Sequence, residues 1–125
     1  MTKLNIGIAS YEEMKQFTKD VAAGKIKPGK DTPKLWFTSL RAAANVFTDE
    51  NRQLLKTIAK EHPGSILELE ALTHRKASNL SRTLKKLEQF GVVRLVEVET
   101  GKKGRRPLRP EVLVDTVNVS FHVLT

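Results

Sequence analysis

Residues 75–91, RKASNLSRTLKKLEQFG, place an apolar seam and a basic, hydrogen-bonding stripe on opposite sides of one predicted helix. Leu80, Leu84 and Leu87 recur at i, i+4 and i+7, so at about 100° per residue they share a face. Ser78, Arg82, Lys85 and Gln89 fall on the other face. Gly91 supplies a left-handed stop, and two valines resume the chain as a strand. The turn beyond that strand, TGKKGRRPLRP, is a second basic element.

Working back toward the N-terminus, TDENRQLLKTIAKEHPG (48–64) reads as a helix. Thr48 caps it, Asp49 and Glu50 suit the positive end of its dipole, and Leu54, Leu55 and Ile58 form the inward stripe. Pro63 and Gly64 end it. Ser65 and Glu68 then have capping-box spacing at the start of a short helix with Ile66, Leu69 and Leu72 inward. On the C-terminal side, residues 92–99 alternate with Val93 and Leu95 on one side. Val117, Val119, Phe121 and Val123 alternate with Asn118, Ser120 and His122. These two segments are expected to be the strands of a wing. Gly101, Gly104, Pro107 and Pro110 mark the connection as its irregular loop.

The first 46 residues have a separate pattern. Leu4, Ile6 and Ile8 alternate as a short strand, and Ser10 with Glu13 opens an amphipathic helix through Met14, Phe17 and Val21 that ends near Gly24. Residues 25–34, with Pro28, Gly29 and Pro33, form a loop or linker. The apolar triplet Leu35-Trp36-Phe37 closes against the first strand or the next helix, an alanine-rich segment over 39–46. The expected division is therefore an N-terminal strand-helix extension and linker, 1–46, serving as a dimer or partner interface, and a second domain, 47–125.

Composition sharpens this. The 125 residues carry 22 Lys and Arg against 14 Asp and Glu, a formal net charge of +8, with 39% hydrophobic content, enough for a compact core. Residues 74–86 hold Arg75, Lys76, Arg82, Lys85 and Lys86 with no acid, and residues 100–110 hold Lys102, Lys103, Arg105, Arg106 and Arg109 with none. Two clustered blocks of this kind favour a polyanion, because each neutralised phosphate releases counterions.

Other classes of function find little support. The chain has no cysteine, so disulfides, thiolate metal sites and cysteine nucleophiles are excluded. His62, His74 and His122 lack ligand spacing, so no metal is expected. GKKG lies between strands rather than at a helix start, so no phosphate loop or other cofactor is expected. Glu68 and Glu70 lie on different helix faces, and no enzymatic constellation emerges. The N-terminal segment lacks the pattern of a secretory signal, and no apolar run approaches the roughly 20 residues needed to cross a bilayer. The expectation is a cytoplasmic protein that is not an enzyme and has no membrane partner.

Three helices with the third basic on its outer face meet the geometric need of major-groove reading. Lys76, Ser78 and Asn79 lie near the start of the third helix, where Asn can pair with adenine and Lys or Arg with guanine. Arg75, Ser81, Arg82 and Lys85 extend the same candidate DNA-binding set toward bases or flanking phosphates. Lys102, Lys103, Arg105 and Arg106 in the loop would follow the phosphate path or enter a narrow minor groove.

The run from Phe47 onward resembles the winged helix-turn-helix domains of MarR-like and ArsR-like transcriptional regulators of bacteria and archaea. The segment SNLSRTLKKLEQFGVVRL looks like their recognition helix and first wing strand, with Ser78, Asn79, Ser81, Arg82, Leu84, Leu87, Glu88, Gly91 and Val93 on its characteristic positions. The resemblance covers about two thirds of the chain. With FTSLRAAANVFTDENRQLL included, the chain also looks like a family of small DNA-binding proteins often encoded beside a toxin. Lys76 departs from the pattern, which commonly has a Ser or Thr cap there. The resemblance implies an α/β (α+β) fold and a sequence-specific double-stranded DNA-binding regulator, a repressor or autoregulator acting as a homodimer. The alternative is an antitoxin that neutralises a cognate toxin by protein–protein interaction while autoregulating its operon. A third reading, structured-RNA binding, has little support from a chain with one Trp, one Tyr and no evident stacking platform.

Overall fold

The computed structural model describes residues 2–101, 104 and 106–124. Its helices and strands form a mixed α/β structure in the order β1 (Thr2–Ile8), α1 (Tyr11–Ala22), β2 (Leu35–Phe37), α2 (Leu40–Val46), α3 (Asp49–Glu61), α4 (Ile66–Thr73), α5 (Ala77–Gln89), β3 (Val93–Glu97), β4 (Leu108–Val112) and β5 (Val114–Phe121). The chain divides into two compact units, one of residues 1–47 with 116–125 and one of residues 48–115. The C-terminal segment thus returns to the first unit, so the expected 47–125 domain does not hold together as one block.

In the first unit the strand order is β2-β1-β5. The triplet Leu35-Trp36-Phe37 is β2, parallel to β1 with Gly7 opposite Trp36. A parallel pair needs a long crossover, and α1 supplies it. Ser10 and Glu13 form the full reciprocal capping box at its start. The glycine at position 7 is required by close approach, since a Cβ there would lie 2.3 Å from the Trp36 ring. Phe17 of α1 packs on the same indole, with centroids 5.3 Å apart. Ile6, Ala43 and Val46 form the buried part of this unit.

The second unit is built on α3, α4, α5 and the β3–β4 hairpin. Thr48 and Ser65 cap α3 and α4 as their spacing predicts. The Glu68 carboxylate, however, accepts from the Gly64 N–H instead of completing a box on Ser65. Both helices stop at a histidine in the left-handed region, His62 (φ 49°) and His74 (φ 60°). Leu54, Ile58, Leu69, Leu80, Leu84, Leu87, Val92 and Val93 are buried, whereas Leu72 is exposed.

The strand pairing differs from expectation. β3 pairs antiparallel with β4, not with the segment around Val117–Phe121, which pairs with β1. Arg109, Pro110 and Glu111 read as loop in sequence because proline cannot donate to a ladder. The register resolves this. Val98 N–H to Pro107 O (2.8 Å) and Leu113 N–H to Val92 O (2.9 Å) fix the hydrogen-bonded positions. The Leu95–Pro110 pair therefore falls on a non-hydrogen-bonded one. The proline nitrogen points away from β3, and its ring is buried on the apolar side of the hairpin.

Candidate nucleic-acid interface

Helix α5 is held from below by Leu80, Leu84 and Leu87, each essentially fully buried. Burying a leucine side chain contributes about 1.5–3 kcal/mol, so this seam fixes which way the opposite face points. Its C-terminal end is a Schellman motif. Val92 N–H reaches Leu87 O and Gly91 N–H reaches Glu88 O at 3.0 Å each, with Gly91 at φ 80°. The Glu88 carboxylate then accepts from Leu95 N–H at 2.9 Å, tying the helix end to β3.

The N-terminal end carries a finding that the sequence did not signal. Lys76 occupies the N-cap position and makes no side-chain cap. The missing acceptor comes from another helix: the Glu70 carboxylate of α4 takes the Ala77 N–H. A carboxylate here both satisfies an orphan donor and complements the positive end of the helix dipole. Glu70 and Ala77 lie seven residues apart across a reversal, a spacing that no helical or capping pattern marks.

On the outward face, Lys76, Ser78, Asn79, Arg82 and Lys85 are exposed, and Ser81 is half-buried at its margin. Arg82 Nη2 donates to Asn79 Oδ1 at 2.5 Å. The bond takes one of the two lone pairs on Asn79 Oδ1 and leaves its N–H donors free. As placed, Asn79 and Arg82 present donors together, which suits the acceptor edge of guanine. Arg75 belongs elsewhere. It is half-buried, its Nη2 donates to Thr83 Oγ1 at 3.4 Å, and its Nη1 is enclosed with no hydrogen-bond partner. Its guanidinium is directed toward the helix it precedes, unlike the exposed members of the expected set.

The hairpin is less basic than its sequence suggests. Arg94 stands opposite Glu111 in the register and meets it at 2.5 Å, while Arg109 reaches the same carboxylate at 2.7 Å. These two guanidinium groups, Arg94 first and Arg109 second, hold the Glu111 carboxyl below its ordinary value. Arg106 lies 3.2 Å from Glu99 and 3.8 Å from Glu97. Lys102, Lys103 and Arg105 lie outside the described residues. By contrast, none of Arg75, Lys76, Arg82, Lys85 and Lys86 is ion-paired among the described residues.

Among the described residues there is no cluster of three or more metal-ligating side chains, and no helix is long and apolar enough to cross a membrane. Residues 46–119 match the model of the family described as HVO_A0114. The match spans more than half of the chain, which therefore belongs to that family. No curated protein and no solved structure matches it.

Proposed function

We propose that this chain is a winged helix-turn-helix protein that binds double-stranded DNA sequence-specifically as a transcriptional regulator, with α4 and α5 as the helix-turn-helix and β3–β4 as the wing. The single observation that carries the reading is the outward face of α5. Lys76, Ser78, Asn79, Arg82 and Lys85 are exposed together, without ion pairs among the described residues, over a seam of fully buried leucines. A rigid helix with free cations and amide donors on one side has the form and chemistry to enter a major groove. The hairpin would lie along the backbone, with Lys102, Lys103 and Arg105 supplying phosphate contacts. Regulation of this kind needs no catalysis, since occupying a promoter is enough to repress it.

The test is a binding titration against duplex DNA over a range of salt. If six or more phosphates are neutralised, affinity falls by roughly a thousandfold or more between 50 and 200 mM salt. A flat response would remove the polyanion from the account, and preference for matched RNA over duplex DNA would change its class.

A further inference from the structure

β5 is the outer strand of its sheet, and among the described residues no strand pairs with its free edge. An open edge offers a row of unpaired N–H and C=O groups, and folds usually blunt it with a short strand, a lysine or a proline. The opposite edge follows that rule, since β2 is three residues long. β5 does not. Its eight residues, VDTVNVSF, contain neither Lys, Arg nor Pro in a chain of net charge +8. The single charge, Asp115, stands beside its first residue. Along the strand Val117, Val119 and Phe121 alternate with Thr116, Asn118 and Ser120, so one face is apolar and the other polar. Val119 is 43% exposed and Phe121 60%.

We propose that β5 pairs antiparallel with β5 of a second copy of this chain, joining the two sheets edge to edge. A two-fold axis perpendicular to the sheet keeps each face on its own side, so apolar residues meet apolar ones and polar meet polar. The geometry points to an axis at Val119. Val119 then faces its own copy, Val117 faces the partner's Phe121, and Asn118 faces the partner's Ser120. Asp115 falls beyond the partner's strand end, and no like charges oppose each other. An axis at Asn118 would instead set Asp115 directly beside the partner's Phe121. This self-complementarity favours a second copy over an unrelated strand. Eight residues on each side fall short of the roughly 20–30 of a standard interface, so the dimer is reversible and concentration-dependent.

The test uses the full chain and needs no DNA, so it stands apart from the function proposed above. Because the protein has no cysteine, Val119→Cys introduces the only thiol. Opposed residues of an antiparallel pair have Cα atoms about 4.5–5.5 Å apart, within disulfide reach. Val119→Cys should oxidise to a covalent dimer. Thr116→Cys, displaced from its own copy by roughly 20 Å at about 3.3 Å per residue, should not. In sedimentation, the wild type should show a monomer–dimer equilibrium that Val119→Lys weakens at least about tenfold with the circular dichroism spectrum unchanged. If Val119→Lys fails to fold, the cross-linking comparison decides alone. A wild type that stays monomeric at every concentration, or that pairs only when a different protein is added, overturns the proposal. Equal cross-linking of the two cysteine variants overturns it as well.

Discussion

Helix α5 and the β3–β4 hairpin look alike in sequence, since each contains a run of cations with no acid inside it (residues 74–86 and 100–110), yet the structure treats their charges in opposite ways. On α5 the cations stay unpaired among the described residues, because the fold brings no carboxylate within ion-pair distance of them. On the hairpin, strand pairing brings Glu111 to Arg94 and Arg109, and Glu97 with Glu99 to Arg106. Over the described part of the hairpin three arginines and three glutamates cancel, so its net positive charge rests on Lys102, Lys103 and Arg105. Charge counted along a chain is therefore a poor measure of charge available to a ligand. What matters is which partners the fold delivers.

The most severe way to break this contrast is to loosen the surface on which α5 sits. Leu84→Ala should destabilise the protein by about 2–5 kcal/mol, read from denaturant unfolding, since it removes a fully buried side chain from the middle of the seam. A loss below about 1 kcal/mol would mean that α5 is not anchored as described.

A finer test separates choice of sequence from affinity. Arg82→Ala should relax base preference by about 1–3 kcal/mol at one position in a selection from random duplexes. Replacing Lys102 and Lys103 together should weaken all duplexes alike and lower the salt slope by about one for each phosphate that is no longer neutralised. Uniform weakening by Arg82→Ala, with altered preference from the lysine pair, would reverse the roles given to helix and hairpin.

Glu70→Ala should cost about 0.5–2 kcal/mol of stability, the range for removal of a helix cap, although the residue lies outside α5. Thermal unfolding of Glu70→Ala beside Glu70→Gln, which keeps an acceptor oxygen and removes the charge, would show whether the effect belongs to the hydrogen bond or to charge alone.

The smallest effect on stability is expected from Glu111→Gln, whose partners are all on the surface. Its folded-state carboxyl titrates below the ordinary 4.5, so its contribution is present above that value and is lost as pH falls through the lowered one. The substitution should flatten that part of the acid-side stability profile. It also releases Arg94 and Arg109, so a steeper salt dependence of DNA binding would place the hairpin flank against the backbone. An unchanged slope would confine the interaction to the tip.

Much of the local structure was legible in the order of residues. The caps at Ser10, Thr48 and Ser65 and the buried faces of α3 and α5 follow from short-range patterns in which each residue's neighbours are within four positions. Pairing between distant segments was not legible in this way. Residues 108–112 read as loop because Pro110 masks an edge strand, and the alternation of Val117–Phe121 identified a strand without saying that its partner would be β1. Within the candidate site, exposure of Asn79 and Arg82 followed from helical spacing. The inward guanidinium of Arg75, the Glu70 cap and the neutralised hairpin did not.

The sequence by itself determined the periodic elements and the sidedness of α5, because backbone geometry converts spacing into faces by a fixed rule. Only the tertiary structure decided which strands meet, which acid quenches which arginine and which cations remain free. Those outcomes depend on contacts between residues far apart in the chain, whose register no local pattern records.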